Sequence, residues 1–100
     1  MKRPTAPAPP PIRKQRTIVF ARLPPGQIPE AAAYLGSLEQ LLVEPHEQER
    51  EIGVVYDLRQ HSLQELETSL EERGHHLDNT LLSKMVRALI HYVEETQLHN

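Results

Sequence analysis

Apolar residues between positions 17 and 78 switch back and forth between the alternate-residue period of a strand and the three-to-four spacing of a helix. Residues 17–23 (TIVFARL) are rich in β-branched and aromatic side chains and predict a first strand, which Pro24-Pro25-Gly26 stops. Pro29 suits the first turn of a helix, where a missing N–H costs nothing. Ala32, Leu35 and Leu38 then recur at helical spacing, which predicts a helix over 29–40. A second strand opens at Leu41-Leu42-Val43. Pro45 cannot donate a ladder bond, so that strand belongs at a sheet edge or bulges there. After the polar connection 46–50, Ile52, Val54, Tyr56 and Leu58 alternate along one face of a third strand, and Val55 adds apolar surface to the other. Ser62-Leu63-Gln64-Glu65 has the form of a capping box. Leu63, Leu66 and Leu70 make the buried stripe of the helix it starts, and Gly74 ends it. Residues 75–78 predict a short fourth strand, and Asn79 or Thr80 caps a third helix over about 81–97.

This order predicts an α+β fold: a ferredoxin-like βαββαβ sandwich, with a four-stranded antiparallel sheet, two helices on one face and an additional C-terminal helix. Three regions follow: an arm over 1–16, a domain over 17–78 and the terminal helix over 79–100. The arm holds five of the nine prolines (4, 7, 9, 10 and 11), and Lys2, Arg3, Arg13, Lys14 and Arg16 with no acid. Such a segment favours extended polyproline geometry and reads as a disordered basic tail, solubilising in its simplest role. It leaves six of the chain's 11 Lys and Arg to face 14 acids, so the body is acidic.

Composition narrows the function. Cysteine is absent, which excludes disulfides, thiolate metal sites and cysteine nucleophiles. No apolar run approaches the roughly 20 residues that span a bilayer, and no apolar stretch follows the basic start as it would in an export signal; the expectation is a cytoplasmic protein. Nucleic acid is not an expected partner: the body is acidic, and Tyr56 is the only aromatic residue on the third strand.

The stretch Val54-Val55-Tyr56-Asp57, then Ser62-Leu63-Gln64-Glu65-Leu66, then Leu70-Glu71-Glu72-Arg73-Gly74 resembles the second half of a heavy-metal-associated (HMA) domain, the module of copper chaperones and metal-pumping ATPases. Leu35 and Leu38 fall where that family places apolar residues in its first helix. The resemblance covers roughly residues 17–78 and implies the ferredoxin-like fold. The family's metal loop is Met-x-Cys-x-x-Cys. Here its methionine position holds Arg22, and its cysteine positions hold Pro24 and Gln27. Proline offers no ligand and glutamine only a hard amide oxygen, so soft-metal binding is not implied. The resemblance implies an HMA-like domain that lacks its thiolates and serves as a protein-interaction or regulatory module associated with metal transport.

Six histidines leave a second reading open: a divalent transition metal (Zn, Ni or Co) as cofactor or cargo, held by His and Glu. His91 and Glu95 lie at i, i+4 and are its candidate ligands; otherwise no cofactor is expected. His75 and His76 are adjacent, so in a strand they point to opposite faces. No enzymatic activity is expected. The serines lack a nucleophile-elbow context, Ser62 is explained as a cap, no phosphate loop occurs, and Glu47, Glu49, Glu51, Glu65, Glu67, Glu71 and Glu72 read as a solvated acidic surface. The third helix sets Leu82, Val86, Leu89, Ile90 and Val93 against Lys84, Arg87, Glu94 and Glu95, with Leu81, Met85 and Ala88 widening the apolar side. That side has to be covered, either by the chain's own domain over the open sheet face or by a protein partner or second copy.

Overall fold

The computed structural model describes residues 10–99. Strands β1 (Arg13–Val19), β2 (Leu41–His46) and β3 (Glu51–Asp57) and helices α1 (Gln27–Gly36), α2 (Leu63–Glu72) and α3 (Leu81–Leu98) follow in the order β1-α1-β2-β3-α2-α3. β3 is the centre of an antiparallel sheet of order β1-β3-β2. Its alternation works as the sequence predicts: Ile52, Val54 and Tyr56 are buried, while Glu51, Gly53, Val55 and Asp57 sit on the other face. Register carries the same parity into the neighbours, pairing Ile18 with Ile52 and Leu41 with Tyr56. Pro45 lies on β2, an outer strand. Ile28, Ala31 and Leu35 of α1 and Leu63, Leu66 and Leu70 of α2 close over the inner face, forming one core with Ile18, Phe20, Ile52, Val54, Tyr56, Leu58 and Leu77.

The helix ends follow local chemistry. Gly26, at φ 75°, precedes α1, which starts at Gln27 and stops at Gly36 rather than running from 29 to 40. The Ser37 side chain folds back onto the Tyr34 carbonyl (2.6 Å), four residues before β2 opens. In α2 the Ser62 hydroxyl accepts from the Glu65 N–H (3.2 Å), and Gly74 takes the left-handed conformation (φ 92°) just past the helix.

The first strand also differs from the sequence reading, spanning Arg13–Val19 in place of 17–23. β1 begins at Arg13, so residues 13–16 belong to the sheet and not to a disordered arm; residues 1–9 of that arm lie outside the described residues. The cause is the length of β3, which runs to Asp57 and gives Arg13–Arg16 a ladder. Leu58 N–H donates to the Ile12 carbonyl (2.8 Å), and Ile12 N–H donates to the Asp57 carboxylate (3.2 Å).

The predicted four-stranded ferredoxin-like sheet is also corrected: it has three strands. Residues 75–78 make one isolated bridge, Phe20 to Leu77, with Ala21 N–H donating to His76 O (2.8 Å) and Asp78 N–H to Val19 O (2.9 Å). Four residues lie between Gly74 and Asn79. His75 is spent edge-on against Phe20 (6.2 Å between rings) and Leu77 in the core, and Asp78 already turns the chain into α3.

Candidate functional site

Asp78 and Thr80 launch α3. The Thr80 hydroxyl accepts from Ser83 N–H (3.3 Å). The Asp78 carboxylate accepts from the Thr80 N–H (3.2 Å) and the Ser83 hydroxyl (2.7 Å), while Arg87 donates to the Asp78 carbonyl (3.0 Å). These donors, the Ser83 hydroxyl foremost, hold the Asp78 carboxyl below its usual range.

Beyond that anchor, α3 meets the domain through a polar stripe. Glu94 is 2% exposed, and its carboxylate accepts from Tyr56 Oη–H (2.7 Å), Arg16 Nε–H (3.1 Å) and the Leu63 N–H (2.9 Å). The last is an orphan donor of the first turn of α2, so a carboxylate from α3 caps a neighbouring helix at its positive end. Burial, reinforced by the bond to Glu94, pushes the Tyr56 hydroxyl far above its ordinary pKa. One turn earlier, His91 Nε2 and Glu67 Oε1 share a 2.7 Å hydrogen bond, with Arg87 Nε 3.9 Å from the other carboxylate oxygen. Burial raises the Glu67 pKa, and His91 and Arg87 only partly offset it. Of the apolar residues assigned to this helix, Ile90 alone packs against the core.

Of the two coverings left open for the apolar side, packing on the chain's own domain is therefore limited to Ile90. Glu94 and Arg87, set against the apolar side, point inward, while Lys84 and Glu95 of the same set stay exposed; Glu67, read as solvated surface, is buried. Leu82, Val86, Leu89 and Val93 are exposed and do not cover the open sheet face. Leu81, Leu82, Met85, Leu89 and Tyr92 are 61–74% exposed, and Val86 (48%) and Val93 (38%) join them along the same side. Spacings of three and four make this one continuous stripe, which stops before Thr96. Tyr92 was missed by the sequence reading, although it lies seven residues beyond Met85.

The inward polar stripe had a signal in the sequence. Arg16 and Tyr56 share the parity of Ile18 and Val54, so both aim at the helix layer, where a guanidinium and a buried phenol need an acceptor. β1 starts early enough for that parity to reach Arg16, which the arm boundary at 16 concealed.

The residues at the HMA-like loop serve the fold. Gln27 is buried. Its amide donates to the Ala21 carbonyl (3.2 Å) and the His76 carbonyl (3.1 Å), and its oxygen accepts from His76 N–H (2.7 Å), tying the loop to the segment that bridges β1. Arg22 and Pro24 are exposed beside it.

The proposed ligands His91 and Glu95 both border a groove of about 530 Å³ between α2 and α3, but His91 is engaged by Glu67 and Glu95 faces water. The other described histidines are dispersed: His61 bonds the Glu39 carbonyl (2.7 Å), His75 is buried on Phe20, and His46 lies 3.9 Å from Glu44. Among the described residues no three His, Cys, Asp or Glu side chains come together as a ligand set. None of the described helices is long and apolar enough to cross a membrane.

Comparison of the chain with protein-family models, with curated proteins and with solved structures gave no match.

Proposed function

We propose that this chain is a non-catalytic protein-interaction module that docks a folded polypeptide on the outer face of α3. The observation that carries the reading is the exposed stripe from Leu81 to Val93, on a helix whose opposite side is already committed to its own domain. Burying such a stripe is worth roughly 25 cal/mol per Å² before the costs of association, so leaving it in water is unfavourable unless a partner covers it. The non-catalytic part is supported by how the polar groups are used. Ser62 caps α2, Glu94 satisfies three donors, and His91 is held by Glu67. An association with metal transport rests on the resemblance of residues 54–57 and 62–74 to HMA domains alone.

A photo-crosslinking amino acid at position 85 or 89 of the full chain, compared with one at exposed position 65 on α2, tests the reading in the cells that make the protein. The expected result is a polypeptide adduct from the α3 positions only. Absence of any adduct from α3, or equal adducts from both helices, refutes it.

A further inference from the structure

We infer that the occupant of this face is a second copy of the chain, with the two α3 helices antiparallel across a two-fold axis near Leu89; the inference rests on the reading of α3 as the docking face. Area is the first argument. The exposed apolar side chains of the stripe present on the order of 700–800 Å², close to what each partner contributes to a standard protein–protein interface. A two-fold pairing covers the stripe of both copies at once, with the same patch on each side.

Charge supplies the orientation. Lys84 and Glu95 are both exposed, and both border the stripe on one side. Their eleven-residue separation is three turns plus about 20°, so they lie along one edge of the helix, roughly 16 Å apart. Their midpoint falls next to Leu89. In an antiparallel pair centred there, Lys84 of each copy lies beside Glu95 of the other, giving two attractive contacts. In a parallel pair the two-fold axis runs along the helices and sets the Lys84/Glu95 edges of the two copies on opposite sides, so neither contact forms. The antiparallel arrangement also opposes the two helix dipoles. Preorganisation adds to this. The Asp78 anchor and the buried Glu67 and Glu94 contacts fix the helix before it meets a partner, so little ordering entropy is lost on docking.

The test is light scattering and sedimentation of the full chain over a concentration series. The wild type is expected to rise from 11.5 kDa toward twice that mass. Leu89→Glu, at an exposed position where the domain's own fold is untouched, is expected to stay monomeric with an unchanged circular dichroism spectrum. Lys84→Glu or Glu95→Lys alone turns both contacts repulsive and is expected to weaken dimerisation roughly tenfold, about 1.4 kcal/mol. An equimolar mixture of these two variants pairs opposite charges at both contacts and is expected to recover wild-type affinity as a heterodimer. A wild type that remains monomeric at the highest concentration overturns the inference. So does a dimer indifferent to the charge reversals, or a mixture with no gain. Crosslinking separates the two readings: adducts to a different polypeptide from a monomeric chain overturn the second copy and leave the docking face standing, whereas no adduct at all removes both.

Discussion

Glu94 offers the sharpest test of how α3 is held. Its carboxylate is 2% exposed and accepts three hydrogen bonds, two from donors that have no water to turn to: the Tyr56 hydroxyl and the Leu63 N–H. Replacing it in Glu94→Ala strands both donors, at about 1–3 kcal/mol each. Arg16 loses its ion pair as well, but at 21% side-chain exposure it can reach solvent. The total is about 3–5 kcal/mol, in the range for breaking a buried charge pair, against a stability of about 5–15 kcal/mol for a domain of this size. At about 4–8 °C per kcal/mol the melting temperature falls by at least about 12 °C. Tyr56→Phe removes one donor and leaves Glu94 two others, so it costs less, about 1–2 kcal/mol. The double variant is the decisive member of the set. With no Tyr56 hydroxyl to strand, it is expected to be more stable than the sum of the single losses predicts, by about 1–2 kcal/mol. Urea unfolding followed by far-ultraviolet circular dichroism measures all four proteins. The reasoning is refuted if Glu94→Ala loses less than about 1 kcal/mol, or if the two substitutions add without coupling.

Gln27→Ala removes the amide that bridges Ala21 and His76, leaving the His76 N–H unpaired; a loss of about 2 kcal/mol and faster exchange of that amide are expected, and an unchanged melting temperature contradicts the role. The folded-state pKa of Glu67 is raised, so its contribution is fully present below the unfolded value of 4.5 and is lost as pH rises through the higher folded value. Glu67→Gln is therefore expected to flatten the decline in stability above pH 4.5, read from melting temperatures across pH. Asp78 has the opposite sign: its lowered pKa gives stability above the unfolded value of 3.8, lost as pH falls through the folded one, so Asp78→Asn is expected to flatten the acid limb below about pH 4. Titration with Zn, Ni or Co is expected to give no saturable imidazole shift at micromolar metal in NMR spectra; a saturable shift at His91 would restore the metal reading.

Much of the fold was legible because its signals are local. The alternation of Ile52, Val54 and Tyr56 needs only the two-residue period, the Ser62 cap and Gly74 terminus need only their own turns, and Pro45 states its edge position by lacking a donor. What failed depends on partners distant in sequence. Arg13–Arg16 look like tail until β3 is known to extend to Asp57, and residues 75–78 look like a strand until Asp78 is seen to serve the start of α3. At the candidate site the outer stripe could be read as residues but not as a direction. Amphipathic reasoning turns an apolar side toward the core by default, and that default assumes the core still has apolar surface to offer.

In this domain the assumption fails at β1. α1 and α2 have already taken the inward apolar positions of the sheet, and what is left beneath α3 is Arg16 and the hydroxyl end of Tyr56, together with the first N–H of α2. An apolar helix face laid there would take the acceptor from the guanidinium and strand a phenol and an amide donor at about 1–3 kcal/mol each, which offsets the gain of about 1.5–3 kcal/mol from burying a leucine. Glu94 accepts from all three, and Arg87 and His91 on the same side of the helix reach Asp78 and Glu67, so the polar stripe goes inward and fixes the rotation of the helix. Once that rotation is set, Leu82, Met85, Leu89 and Tyr92 have nowhere to point but outward. The exposed stripe is thus a consequence of the polar groups beneath α3, and exchanging Arg16, Tyr56 and Glu94 for apolar residues removes all of the constraint but the Leu63 N–H. The triple variant Arg16→Met, Tyr56→Phe, Glu94→Leu is expected to let α3 rotate and bury part of its outer face, seen as greater exchange protection of the helix together with loss of self-association. If the variant associates as the wild type does, the buried charges do not set the face.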